Sequence, residues 1–202
     1  DVDPRPRNIV SDLSVRGTAG LVLGQRVLEG SLSYRRYSQS QNVTFVSERG
    51  RNTSVFHLSG LGDFIYRFSG ASDAYLTTRY SGNGVGFLLA TYPKSVHGWL
   101  ADASYTLLNM AHYLPNQNGA LYTQALTREI KLNAGYIGRS LTASVHAAYQ
   151  WREGIECVLD NGKAGRFLEL AKLPMFASSD LTAGADAAWQ LGGWSLKSSA
   201  EW

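Results

Sequence analysis

Ser144, His146 and Asp186 come nearest, by type and spacing, to catalytic machinery. A hydroxyl, an imidazole and a carboxylate act as nucleophile, base and orienting acid when the fold brings them into hydrogen-bond reach. Ser144 and His146 are two apart, so on a strand they point the same way about 7 Å from each other. His57, His97 and His112 are scattered and show no metal-ligand spacing. Asp160-Asn161-Gly162 and Asn83-Gly84 read as turn chemistry, not as calcium loops. The run Gly-Asn-Gly-Val-Gly at 82–86 lacks the Lys-Ser/Thr and the helix that a phosphate loop requires. The single cysteine, Cys157, closes no internal disulfide, builds no cysteine zinc site and reads as a small hydrophobe. No metal and no cofactor are expected.

Strands must position these side chains. From about Thr18 the dominant signal has period two, one apolar and one polar face. Residues 141–152 show it best: Leu141, Ala143, Val145, Ala147, Tyr149 and Trp151 alternate with Thr142, Ser144, His146, Ala148, Gln150 and Arg152. Residues 180–191 repeat the pattern, and after Gly192-Gly193, a hairpin signal, it resumes from Trp194 to Trp202. Shorter alternating runs precede these, and no amphipathic helix competes. The pattern places strands near 18–29, 31–38, 43–48, 53–59, 63–69, 73–81, 85–92, 97–108, 121–136, 140–152, 180–191 and 194–202. Residues 1–17, with two prolines and little alternation, read as an N-terminal arm, and 18–202 as one β domain. Short turns are expected at 29–30, 60–62, 81–84, 138–139 and 192–193, and longer loops at 39–52, 109–120 and 153–179, the last with its own short hairpin. Counted this way, early and late short turns fall on opposite parity, so either one strand of the twelve is misplaced or a loop is unusual. Ten strands fit as well.

Composition narrows the class. The 202 residues are 44% hydrophobic and only 17% charged, with five Trp and eleven Tyr, against the ~25% charged of a typical soluble domain. No run approaches the ~18 apolar residues of a membrane helix. Nineteen Lys+Arg against sixteen Asp+Glu give a net +3 with no basic cluster beyond Arg35-Arg36, so a nucleic-acid partner is not expected. The chain begins without Met and without a signal-peptide core, as a processed or truncated start would.

Many alternating strands suit either a soluble sandwich with its apolar face inward or a membrane barrel with that face outward. The later strands run to nine or more residues, longer than the soluble mode of ~5–6. Their apolar face is built of Ala, Leu, Tyr and Trp rather than Val and Ile. Tyr136, Trp151, Trp189, Trp194 and Trp202 fall at expected strand ends on that face, as interfacial aromatics of a membrane barrel would. The closing run Trp-Ser-Leu-Lys-Ser-Ser-Ala-Glu-Trp resembles the aromatic-terminated last strand of Gram-negative outer-membrane β-barrels, over most of 18–202 and most clearly after Leu121. The Gly-rich turns beside longer polar loops also look like barrels of the Bacteroides–Porphyromonas group.

That resemblance implies an all-β, antiparallel up-and-down transmembrane β-barrel of about 10–12 strands in the cell outer membrane, with the lipid bilayer as its first partner. Its polar face would then be the lumen, carrying Arg67, Arg79, Asp102, Glu129, Lys131, Arg152, Asp186, Lys197 and Glu201. Charges of both signs there suggest a salt-bridged, largely plugged interior. The expected role is a transport or surface-assembly component that works through its long loops, with a protein partner or surface ligand. Three other readings stand beside it: a passive pore for small solutes, a membrane-embedded lipid hydrolase, and a soluble all-β binding module. Outer-membrane phospholipase A and the lipid A deacylases carry His-x-Ser on the membrane side. Here the order is Ser-x-His and the face is the polar one, which favours a hydrogen-bonding His146 over a catalytic one.

Overall fold

In a computed structural model, which describes residues 4–45, 77–114, 119–160, 168–191 and 194–202, the chain forms one antiparallel sheet of eight strands. They are β1 (Pro4–Leu23), β2 (Arg26–Phe45), β3 (Thr77–Pro93), β4 (Gly98–Leu114), β5 (Ala120–Ile137), β6 (Leu141–Asp160), β7 (Leu168–Leu191) and β8 (Trp194–Glu201). Each pairs with its sequence neighbours, so the order in the sheet is the order in the chain. Among the described residues β1 and β8 pair with no further strand, and the sheet is open rather than a closed barrel. β8 covers only residues 184–191 of β7, with Trp202 bonded through both backbone groups to Ala183 at 2.9 Å.

The twelve expected short strands become eight long ones. The runs at 31–38 and 43–48 merge into β2, those at 73–81 and 85–92 merge into β3, and those at 53–59 and 63–69 lie outside the described residues. The fusion in β3 has a packing cause. Gly82, Gly84 and Gly86 are buried on the polar face, and the intervening Asn83, Val85 and Phe87 are exposed. A Cβ at Gly82 would collide with Met110, and one at Gly84 would sit 3.3 Å from the Leu107 carbonyl oxygen and from Leu108 Cδ1. These glycines make room for β4 side chains; they do not turn the chain.

The expected arm over 1–17 is also strand, from Pro4 onward. Its prolines masked the pattern, yet proline is compatible with a strand at a sheet edge, where one side of the backbone needs no donor. The first hairpin turns at Gly24, with φ +60°, and Gln25, in place of 29–30. A two-residue turn that takes a positive φ is what a tight hairpin requires.

These corrections remove the parity conflict. The strand ends that flank 24–25, 94–97, 138–140 and 192–193 all lie at one end of the sheet. Those that flank 46–76, 115–119 and 161–167 lie at the other, and these stretches of sequence are all longer. Much of the three expected long loops is strand: β2 runs to Phe45, β4 to Leu114, and β6 and β7 continue through 153–160 and 168–179. Register shifts at His112/Tyr113, Gly154/Ile155 and Val158/Leu159 fall toward this long-connection end, where β-bulges relieve the pairing of overlong strands.

Candidate functional site

The strand register sorts the side chains into two faces. Leu21, Leu28, Thr91, Ala101, Ala134, Val145, Ala185 and Ala200 form one transverse row across all eight strands. The next row toward the long connections holds Ala19, Gly30, Leu89, Ala103, Leu132, Ala147, Ala183 and Trp202. Neither row carries a charge. Yet this face is the exposed one: Leu32 is 67% accessible, Val145 57% and Leu181 70%. Among the described residues Cys157 is the one apolar side chain that is fully buried. A sheet whose apolar face stays open while its polar face is the more covered inverts the usual arrangement of a soluble domain.

Aromatic side chains bound these rows. Toward the short turns, Trp99 packs on its cross-strand neighbour Tyr136 with ring centroids 5.2 Å apart, and Trp189 lies one row further out, opposite Leu141 and Leu196. Toward the long connections stand Phe87, Tyr105 and Tyr149, then Tyr34 and Trp151. Arg128 lies over the Trp151 ring at 5.8 Å. The level of Trp189 is ten residues from that of Trp151 along β6, or roughly 33 Å of strand. At the ~40° tilt of spanning strands this is about 25 Å of height. Midway between these aromatic levels the face is hollowed into an apolar depression of 620 Å³, lined by alanines of β4 to β7 with Leu28, Leu89, Leu132 and Trp202.

Of the aromatics expected at strand ends on the apolar face, Tyr136 and Trp189 lie at the short-turn level, one row apart, and Trp151 lies at the long-connection level. The side chain of Trp194 lies outside those described. Trp202 does not belong to either level: its pairing with Ala183 puts it in the middle of the small-residue rows. Spacing along one strand suggested a rim position because the offset between β7 and β8 cannot be read from β8 alone.

On the opposite face the register places Asp102, Glu129, Lys131, Arg152, Asp186, Lys197 and Glu201. Arg79 is a correction. It pairs with Ser40 and Tyr113 in the apolar-face register, near the long connections, because the fusion of β3 reverses the parity assumed for that run. Arg67 lies outside the described residues. The polar face is knit by ion pairs, Arg152–Asp180 at 2.8 Å and Lys131–Glu129 at 3.0 Å, and by a contact of His146 Nδ1 with Asp186 at 3.5 Å. Asn133 donates to Asp102 at 2.8 Å. Arg35 donates through two nitrogens to Asp12, at 2.9 and 2.6 Å, the two-pronged geometry that gives a guanidinium a fixed direction. Sequence reading missed this pair. Residue 12 was read as arm, and only the β1–β2 register makes the two neighbours.

Ser144, His146 and Asp186 do share the polar face. Ser144 is directly opposite Asp186, and His146 is opposite Gly184, where an added Cβ would meet its ring. His146 turns to Asp186, and among the described residues no hydrogen bond joins it to Ser144. Nor does any group of three or more His, Cys, Asp or Glu among the described residues stand ready to hold a metal. His112 lies in an aromatic cluster, stacked on Tyr80 at 4.4 Å and edge-on to Tyr122 at 5.7 Å.

Fold and faces together define an all-β, up-and-down sheet protein with one exposed apolar face and one ion-paired polar face. The profile of a family of unknown function (DUF6850) matches residues 1–202, and the chain belongs to that family. No curated protein and no solved structure matches the chain.

Proposed function

We propose that this chain is an integral outer-membrane β-barrel component of a Gram-negative cell. In this reading the apolar face meets lipid and the ion-paired face lines a largely filled interior. The observation that carries it is the inverted burial: uncharged rows of small and aliphatic residues, exposed and bounded by aromatics about 25 Å apart, match the ~25 Å lipid-facing band of such proteins. The segregation of short turns to one end and long connections to the other supports it, as spanning barrels keep short periplasmic turns and longer outer loops. Lipid chains then fill the apolar depression around Leu132 and Trp202.

The working end is the long-connection end. Beyond the level of Trp151, β6 and β7 continue as a ribbon to Asp160 and Leu168, some 30 Å at ~3.3 Å per residue, with β5 beside β6 as far as Glu156. That ribbon exposes Leu168, Leu170, Leu173, Met175 and Phe176, an apolar surface of the kind that partners cover. The protein acts as a transport or surface-assembly component that holds a partner there.

The test is partition and refolding. Expressed with an export signal in a Gram-negative host, the chain should float with outer-membrane vesicles and resist carbonate extraction. Refolded protein should migrate differently before and after boiling in dodecyl sulfate. A chain that stays soluble and monomeric in buffer, with no gain of structure in vesicles, would show that the exposed face is covered by something other than lipid.

A further inference from the structure

The polar face carries a groove that the membrane reading does not use. It encloses 480 Å³ and follows two adjacent transverse rows across β1 to β6. Arg16 and Ser33 open the first row, Gly86 and Thr106 continue it, and Glu129 and Gln150 close it. Ser14, Arg35, Gly84 and Thr127 belong to the second. Leu108 stands between Gly84 and Thr127 in the second row, and its Cδ1 covers Gly84 as Thr106 Cγ2 covers Gly86, each 3.3 Å from where a Cβ would be, so the middle of the groove is a shallow floor with an apolar patch at Leu108.

Its charges are unequal in availability. Arg35 is already neutralised by the two-pronged contact with Asp12, and Glu129 by Lys131. Arg16 pairs with no acid among the described residues. The groove therefore offers one uncommitted positive charge at its β1 wall, which suits a monoanion better than a doubly charged phosphate. Away from that wall it offers hydroxyls on Ser14, Thr106 and Thr127, the Gln150 amide and the acceptor oxygens of Glu129. These groups donate and accept hydrogen bonds in turn, as a polyhydroxylated ligand demands.

We propose that this groove binds a carboxylated saccharide, with its carboxylate on Arg16, the C–H face of its ring against Leu108, and its hydroxyls on the Thr106, Thr127 and Gln150 side. The proposal does not depend on whether the apolar face meets lipid. Calorimetric titration of the purified full chain with sodium galacturonate should give saturable binding, and glucose and sodium acetate should each bind at least tenfold more weakly. Arg16→Gln should weaken galacturonate at least tenfold, with Arg16→Lys restoring part of the loss. The double variant Thr106→Val, Thr127→Val should weaken it severalfold with an unchanged circular dichroism spectrum. Arg7→Gln, on the other face of β1, should leave it unchanged. Absence of saturable binding, acetate binding as tight as galacturonate, or indifference to Arg16→Gln would each overturn the assignment.

Discussion

A Cβ added at Gly84 would stand 3.3 Å from a backbone carbonyl of β4, a neighbour that cannot swing aside as a side-chain tip can. Gly84→Val is therefore expected to destabilise the fold by about 1–3 kcal/mol, the usual cost of overpacking, read as a lower denaturant midpoint. Asn83→Val, exposed on the other face one residue earlier, should shift it far less. Face assignment is tested in the same way at Ala185 and Ser144, which lie on adjacent strands and opposite faces. Ala185→Arg places a guanidinium in an uncharged row, where a charge at bilayer mid-height costs ~2–4 kcal/mol. Ser144→Arg places it beside Asp186. Folding yield into lipid vesicles should fall sharply for the first and little for the second, and equal yields would remove the distinction between the faces.

At the level of elements, the faces of β4 to β8 were legible only where period-two alternation runs unbroken, at Trp99 to Leu107, Ile130 to Tyr136, Leu141 to Trp151 and beyond Asp180, and the register places these runs as expected. β1 and β3 were not legible. Proline and glycine carry two meanings, and a sequence shows the residue without the neighbour that decides between them. Pro4 and Pro6 signal an arm until an edge position is known, and Ser81-Gly82-Asn83-Gly84 signals a turn until Met110 and Leu108 are placed opposite. The candidate site was legible to the same extent: its later charges fell on the expected face, and Arg79 and the Asp12–Arg35 pair did not. Spin labels at positions 143 and 144, in a Cys157→Ala background, should separate β6 into its two environments in vesicles. Label 143 should respond more to oxygen and label 144 more to a nickel chelate, whereas equal responses would place both sides of β6 in one medium.

For the whole molecule, the proposed barrel implies a narrow interior, since closed sheets of about eight strands are filled by their own side chains. Purified protein in planar bilayers is expected to conduct small ions poorly, and large stable currents would make it a pore. The unequal lengths of β7 and β8 carry a further consequence, for the exchange of amide protons with solvent. Residues 168–182 of β7 have a strand neighbour on the β6 side alone among the described residues. In an antiparallel ladder successive N–H groups point to opposite sides. Every second amide along that stretch is thus locked by β6 while the one between faces outward. Deuterium uptake there should be striped, fast and slow by turns, with the stripe slipping at the bulges opposite Gly154 and Val158. β5, flanked on both sides over residues 123–137, should exchange slowly at every position. If the stripe is missing and 168–182 is slow throughout, another length of chain is bound along that edge, and the positions newly protected would show how far it reaches.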